Sequence, residues 1–135
     1  MSEPDVLEQL DASVHRSLTL IGGSASCASA REFVRAVLGE CPWPGDVEAA
    51  VLLASELVAN ANRHAGGGCR LSLWIDGRSL HVEAADRSGR RAELRVPDEL
   101  DEAGRGLLLV DVPSSDWGVA ERNGGGKVVW FELRA

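Results

Sequence analysis

Three polar residues recur at four-residue spacing in one stretch of the chain: Glu56, Asn60 and His64. The stretch reads as a helix from near Pro44 to the glycines at 66–68, because apolar residues recur in steps of three and four. These apolar positions are Val47, Val51, Ala54, Leu57 or Val58, and Ala61. Residues four apart stack along one edge of a helix, so a carboxylate, an amide and an imidazole could line a cleft for a polar ligand. The alternative is a solvated polar edge, and spacing alone favours that alternative.

Three further stretches could bind a ligand. Asp86 places a carboxylate at the end of a predicted strand, and Gly104-Arg105-Gly106 opens a predicted short helix, where backbone N–H groups attract phosphate. Lys127, the only lysine, follows three glycines. A phosphate-loop interpretation of that pair fails, because Glu121 stands where the motif needs glycine and Val128 where it needs serine or threonine. Each stretch also has a commonplace interpretation as a turn, a helix start or a hairpin loop.

Other chemistries have less support from the residue types. The histidines are scattered without zinc-ligand spacing, and no serine lies in a Gly-x-Ser-x-Gly elbow. Three cysteines, without Cys-x-x-Cys spacing, disfavour a disulfide framework or a zinc site. We therefore predict buried thiols in a reducing compartment, at Cys27, Cys41 and Cys69.

Composition limits the partners. The chain has 135 residues, 14 of them basic and 21 acidic, for a net charge of −7. Nucleic acids and anionic membranes attract basic proteins, so this balance argues against both as direct partners. No apolar run is long enough to cross a bilayer, and the acidic start lacks the basic region of an export signal, which predicts a cytoplasmic protein.

The predicted elements do not alternate regularly between strand and helix, so a doubly wound nucleotide fold is disfavoured. We predict an α+β fold, a two-layer sandwich in which helices cover one face of a mixed, mostly antiparallel sheet. Residues 1–12 form a flexible leader and residues 13–135 a single domain. The first half of the chain is expected to hold a strand at 15–21, a helix capped by Ser24 or Ser26 and ending near Gly39, and the long helix capped by Asp46. A hairpin of strands at 69–75 and 80–85 follows, and then a lid at 86–103. A short helix at 107–112 and strands at 117–121 and 128–133 complete the prediction.

The order of the motifs adds more than any one of them. Glu-Leu-Val-x-Asn-Ala-x-x-His-Ala at 56–65 precedes a strand ending in Asp86, the lid, Gly104-Arg105-Gly106-Leu107 and a late Gly-Lys-Val-Val-Trp strand. This pattern resembles the Bergerat-fold (GHKL) ATPase superfamily, which includes gyrase and the histidine kinases. Within it the chain looks like the anti-sigma-factor serine/threonine kinases and their regulatory relatives. The resemblance spans residues 13–134.

The resemblance implies roles for particular residues. Asn60 would coordinate the Mg²⁺ ion that bridges the ATP phosphates, and Glu56 would be the general base for the attacking hydroxyl. Asp86 would accept a hydrogen bond from the adenine amino group, which selects ATP over GTP. The other residues of the implied nucleotide site are Arg63, His64, Ser88, Gly89, Gly104, Arg105, Gly106, Leu107 and Lys127. Of these, His64 is expected to serve as cleft wall or structure. Gly104 and Gly106, with Arg105 and Leu107, are expected to form the phosphate-side lid and helix start.

The chain departs from the family pattern at two places. Asp86 is followed by Arg87-Ser88-Gly89-Arg90 where relatives have Gly-x-Gly, and Lys127 stands where many relatives place threonine. The implied function is an ATP- and Mg²⁺-dependent serine/threonine kinase that phosphorylates a STAS-domain antagonist or sequesters a sigma factor, and that pairs with a second copy. The first alternative is a nucleotide-binding regulator without catalysis. The second is an interaction domain that has lost nucleotide binding.

Overall fold

The computed structural model describes residues 14–65, 68–86, 115–121 and 126–135; for residues 63–65 and 115 it describes the backbone alone. The predicted leader, lid and short helix lie outside these residues. Every strand and helix predicted within them is present, with bounds that differ by at most three residues. The described elements are β1 (Val14–Leu20), α1 (Ser26–Glu40), α2 (Val47–Ala65), β2 (Cys69–Asp76), β3 (Ser79–Asp86), β4 (Ser115–Glu121) and β5 (Lys127–Arg134).

The described strands form one sheet in the order β1-β2-β3-β5-β4, and each of these pairings is antiparallel. The α+β prediction is confirmed, and the parallel pairing that a mixed sheet would contain does not occur between these strands. For β2–β3 and β4–β5, antiparallel pairing follows from the short connections, because parallel neighbours need a longer crossover. The β2–β3 hairpin turns at Gly77, whose φ of 60° fits the predicted Asp-Gly turn.

One row of residues closes the sheet at the end where β1, β3 and β4 finish and β2 and β5 begin. The register pairs Leu20 with Cys69, Cys69 with Asp86, and Glu121 with Lys127. Ala85 pairs with Val128, so the next step of the same register sets Asp86 opposite Lys127. We call this row the site edge: Leu20, Cys69, Asp86, Lys127 and Glu121.

The core lies between the sheet and the two helices. Alternate residues of the strands point to one face and are buried, as a half-covered sheet requires. The buried apolar stripe of each helix meets them, and each fully buried Leu, Val or Phe contributes about 1.5–3 kcal/mol. The largest contributors are Val34, Val51, Leu57, Val58, Leu71, Leu73, Leu80, Val82 and Phe131.

One predicted helix cap is confirmed and the other is wrong, while the predicted end of α1 near Gly39 agrees within one residue. Asp46 caps α2 as predicted, because its Oδ1 accepts a hydrogen bond from the Ala49 N–H at 3.1 Å. The prediction that Ser24 or Ser26 caps α1 is wrong: Ala25 holds the cap position, where no side-chain bond is made, and α1 runs through Gly39 to Glu40. Of the helices described, none has the length and apolar character needed to cross a bilayer.

The sheet face away from the helices carries aromatic rings. His15 stacks on Trp74 with ring centroids 4.5 Å apart, Trp74 meets the edge of His81, and His81 stacks on Trp130 at 5.5 Å. These contacts join β1, β2, β3 and β5, and cross-strand ring pairs of this kind stabilise a sheet. Two of the three histidines, His15 and His81, thus belong to this ladder.

Candidate functional site

The four-residue row on α2 runs from the surface into the interior. Leu52 begins it with 45% of its surface exposed, Glu56 is half-buried, and Asn60 is fully buried at 0%. The solvated-edge interpretation therefore fails at Asn60, while Glu56 keeps access to solvent. Sequence spacing could not show this gradient, because it depends on how far the sheet and α1 extend over each turn of α2.

Asn60 is an exception to the rule that buried polar groups are hydrogen-bonded. Both its Oδ1 and its Nδ2 atoms are buried, and neither has a hydrogen-bond partner among the residues that the structure describes. An unsatisfied buried amide costs roughly 1–3 kcal/mol, so a ligand that met it would offset a real penalty. The amide oxygen is a hard donor of the type that Mg²⁺ prefers.

The loop between β1 and α1 is joined to the C-terminal part of α2. Nδ2 of Asn62 donates a hydrogen bond to the Gly23 carbonyl at 3.3 Å. Gly22 and Gly23 both have positive φ, which lets the chain turn immediately after Leu20 of the site edge. Asn60 lies on the same turn of α2 as Asn62, so this bond places the Asn60 turn at the same end of the domain as the site edge.

Close backbone approach shapes this end of the sheet. Gly68 has a φ of 88°, and a Cβ at this position would overlap the carbonyl oxygen of Leu20. Only glycine avoids both the backbone strain and the collision. Gly68, the last glycine of the run predicted to end the helix, thus lets β2 begin directly beside the last residue of β1.

Buried charge marks the site edge. Asp86 is 5% exposed and Lys127 is 2% exposed, and both lie on the sheet face that bears the core residues. Burial, together with the nearby negative charge of Asp86 and a smaller effect of Cys27, raises the pKa of the Cys69 thiol to about 11. The carboxylate charge of Asp86 is therefore felt by its neighbour in β2, in surroundings with little solvent to screen it.

The cysteines are free thiols with different burial. Cys69 is fully buried, whereas Cys27 and Cys41 are half-buried, so the prediction of buried thiols holds for Cys69 alone. Cys27 faces α2, where its Sγ donates to the carbonyl of Ser55 at 3.7 Å. Arg31, one turn later in α1, donates from Nη1 to Ser55 Oγ at 3.1 Å. These two contacts join α1 to the turn of α2 that carries Glu56.

A comparison with known protein families agrees with this arrangement. A family model described as the histidine kinase-like ATPase domain matches residues 24–133, most of the chain. The chain belongs to the histidine kinase-like ATPase domain family. The superfamily resemblance drawn from the Glu56–Asn60 motif is thereby confirmed, and membership of an ATPase family implies nucleotide binding.

Solved structures support the fold of this ATPase domain. A chain in the crystal structure of the SiaB–SiaC complex from Pseudomonas aeruginosa matches with a TM-score of 0.54 at 11% sequence identity, over 98% of this chain and 95% of that chain. At such identity the similarity shows the fold alone. No curated protein sequence gives a significant match.

The ATPase domain brings together some of the predicted site residues. Glu56 and Asn60 lie one turn apart on α2, while Asp86 and Lys127 share the site edge. Arg63 and His64 lie in the last turn of α2, where the backbone alone is described. The remaining predicted residues lie outside the described residues: Ser88, Gly89, Gly104, Arg105, Gly106 and Leu107.

Sequence patterns did not predict the structural roles of four residues at this site. Asn62, Arg31 and Ser55 make contacts between elements, and nothing in their spacing distinguishes them from surface polar residues. Gly68 offered a weak signal, since it is the last of three consecutive glycines directly before a predicted strand. A pattern of that kind indicates a turn but does not reveal which backbone it must approach.

Proposed function

We propose that this member of the ATPase family is an ATP- and Mg²⁺-binding regulatory protein of the anti-sigma type. In this proposal it is a serine/threonine kinase that phosphorylates a STAS-domain antagonist or sequesters a sigma factor. The observation that carries the proposal is Asn60, a fully buried amide without a described partner, placed one helical turn from the half-buried Glu56. The nearby Asn62 also has an unpartnered buried oxygen but keeps one bond through Nδ2, whereas neither amide atom of Asn60 has a described partner, as expected of a residue that gains its partners on ligand binding.

The amide oxygen of Asn60 is a hard ligand of the kind that Mg²⁺ prefers, and no described residue forms a hydrogen bond to it. Bound Mg²⁺ supplies charge neutralisation to the ATP phosphates. The chain's own contribution is to hold the amide in place through the helix, because Asn60 is surrounded by the packed core of α2. A rigid ligand of this kind favours one position of the phosphates.

Glu56 is proposed as the general base. Its position is half-buried, so its carboxylate can meet a hydroxyl brought by a protein partner from solvent. The carboxylate accepts the hydroxyl proton, the oxygen attacks the γ-phosphorus of ATP, and ADP leaves with the electrons of the broken bond. Phosphoryl transfer depends on position and charge neutralisation, which a small domain can provide.

Asp86 is proposed to hold the base of the nucleotide. A buried carboxylate at the end of β3 can accept a hydrogen bond from the adenine amino group in a site with little competing water. Asp86 lies directly opposite the buried Cys69 in β2, so its neighbour in that strand is a small side chain that leaves room for a ligand.

Partner binding is supported by the similar chain in the SiaB–SiaC complex, since that structure contains two proteins together. The exposed Leu52 lies one turn before Glu56 and would meet any protein that approaches this base. Pairing of two copies remains part of the proposal. The proposed domain comprises residues 13–135 after a leader of 12 residues.

A non-catalytic ATP-binding regulator is the second candidate. The buried Lys127 favours it, because it stands where many related kinases place threonine and it changes the surroundings of Asp86. In this case the protein would bind nucleotide through the same Asn60 and Asp86 but would signal only through its protein partner. The two candidates differ in phosphate transfer and agree on nucleotide binding.

Calorimetry with Mg²⁺ and ATP tests the shared part of both candidates. We expect saturable binding by the natural chain and a loss of affinity of about tenfold or more in Asn60→Ala, which removes the proposed metal ligand. Glu48→Gln is the control, because Glu48 is exposed on the same helix and pairs with Arg35. Equal affinity in Asn60→Ala and the natural chain would show that the assigned site is wrong.

Phosphate transfer separates the candidates. The protein is incubated with γ-labelled ATP, Mg²⁺ and a STAS-domain protein from the same cell, and label on that protein is measured. Kinase activity predicts transfer that Glu56→Ala lowers by about 10²-fold or more, while Glu48→Gln keeps it. Nucleotide binding without transfer would support the regulator, and transfer that is unchanged in Glu56→Ala would exclude Glu56 as the base.

A further inference from the structure

Lys127 is a buried cation at the place where the proposed site holds the nucleotide base. It is only 2% exposed, and it is the largest of the fully buried side chains described. Its strand begins at this residue, and Lys127 pairs with Glu121 on one side. On the other side, the β3–β5 register continues one step beyond Ala85 and Val128 to set Lys127 opposite Asp86.

The site edge combines a hydrogen-bond donor, Lys127, with an acceptor, Asp86. Directly opposed residues of an antiparallel pair have Cβ atoms about 4.5–5.5 Å apart, so an ammonium and a carboxylate at these positions can serve the same ligand. Both side chains lie on the core-bearing face, since Val129 and Ala84 follow and precede them at alternate positions and are buried. A buried ammonium needs acceptors near it, and the negative charge of Asp86 lowers the cost of burying it.

The two purine bases need different hydrogen-bond donors and acceptors opposite their Watson–Crick edge. Adenine presents a donating amino group beside the accepting N1 atom, whereas guanine presents the accepting O6 atom beside a donating N1–H. A carboxylate alone accepts from the adenine amino group and repels guanine O6, which is the basis of selection for ATP. A lysine beside it can donate either to adenine N1 or to guanine O6.

We propose that Lys127, together with Asp86, makes this a purine nucleoside triphosphate site that accepts guanine as well as adenine. With guanine, Asp86 accepts the N1–H hydrogen bond and the Lys127 ammonium donates to O6. With adenine, Asp86 accepts from the amino group and Lys127 donates to N1. This inference rests on the proposed function, and it assigns the base specificity of that same site to one residue of this chain.

The test compares ATP and GTP on the same preparation. Affinities for both nucleotides with Mg²⁺ are measured by calorimetry on the natural chain, on Lys127→Thr and on Lys127→Met, and the ratio of the two affinities is the readout. The ratio is unaffected by a partly unfolded sample, because both nucleotides report on the same folded fraction. Arg134→Met is the matched control, since it removes one exposed positive charge at the far end of the same strand.

We expect the natural chain to bind ATP and GTP with affinities within about tenfold of each other. In both Lys127 variants the preference for ATP rises about tenfold or more, as expected when a hydrogen-bond donor to O6 is lost, and Arg134→Met leaves the ratio unchanged. A natural chain that binds ATP and rejects GTP by more than about tenfold overturns the inference and leaves the proposed function standing. The same holds for a ratio that both Lys127 variants leave unchanged. A natural chain that binds neither nucleotide overturns both.

Discussion

Asp86 lies directly opposite Cys69 in the antiparallel pairing of β2 with β3, and both side chains are buried. Burial, which is the larger cause, and the negative charge of Asp86 together raise the pKa of the Cys69 thiol to about 11. The carboxylate in turn has a small, neutral neighbour rather than a second charge in β2. The pairing thus places the Asp86 carboxylate, the proposed hydrogen-bond acceptor for the base, in the protein interior.

The Cys69 thiol should make the stability of the protein depend on alkaline pH. The folded chain keeps this proton up to a pH of about 11, whereas the unfolded chain releases it near its ordinary pKa of 9.0. The contribution is therefore fully present below pH 9.0, and it is lost between pH 9.0 and about 11 as the unfolded state deprotonates first. The difference corresponds to roughly 3 kcal/mol.

Urea unfolding at several pH values between about 8 and 11 measures this loss, with Cys69→Ala as the comparison. The variant is expected to show a smaller decline in unfolding free energy over that range, whatever its stability at neutral pH. Parallel pH curves for the two proteins would contradict the prediction, because every other titrating group is common to both.

Asn60→Leu should separate stability from nucleotide binding. Leucine has a similar size and carries no polar atoms, so the penalty of the unpartnered amide disappears. Without nucleotide, we expect the free energy of unfolding to rise by roughly 1 kcal/mol and the midpoint of thermal unfolding to rise by a few degrees. Added Mg²⁺ and ATP should stabilise the natural chain further and leave the variant unchanged. A variant that unfolds earlier than the natural chain would mean that the amide is satisfied in the folded state.

Gly68→Ala and Gly23→Ala should destabilise the protein to different extents. Both glycines have a φ near 90°, so alanine suffers a similar backbone strain of about 1–2 kcal/mol at either position. A Cβ at Gly23 would meet nothing within 4 Å, whereas at Gly68 it would collide with the backbone of Leu20. We expect chemical unfolding to give a loss for Gly68→Ala that exceeds the loss for Gly23→Ala by about 1 kcal/mol or more. Equal losses would show that β1 can move away from β2 at little cost.

Gly39→Ala should stabilise the protein. Gly39 is exposed and lies inside α1, and a Cβ at this position would meet no atom within 4 Å, so alanine adds helix propensity without a collision. Because Gly39 is the second-last residue of α1, we expect a gain smaller than the roughly 1 kcal/mol of an exposed helix interior, and thermal or urea unfolding would measure it. A loss of stability would instead contradict the placement of Gly39 within α1.

The local signals in the chain were sufficient for most of the fold. Alternation in residues 69–75 and 80–85, around Asp76-Gly77, predicts the β2–β3 hairpin, because pattern and turn chemistry agree. The cap at Asp46 was also predictable, since a side chain three residues from its target forms a local bond. The cap of α1 was not, because a backbone carbonyl, that of Gly23, accepts the hydrogen bond of the Ser26 N–H at 3.1 Å and no side chain does so at Ala25.

By itself, the sequence determined the α+β class, the long helix, and the Glu56–Asn60 spacing that identifies the ATPase family, since these depend on periodicity and on residue order. Only the tertiary structure decided that Asn60 is buried and without a described partner while Glu56 stays accessible. It alone decided that Lys127 begins a strand, paired with Glu121 and one register step from the pair formed by Ala85 and Val128, and that its side chain is buried. Burial and cross-strand pairing join residues far apart in the chain, and no local pattern carries that information.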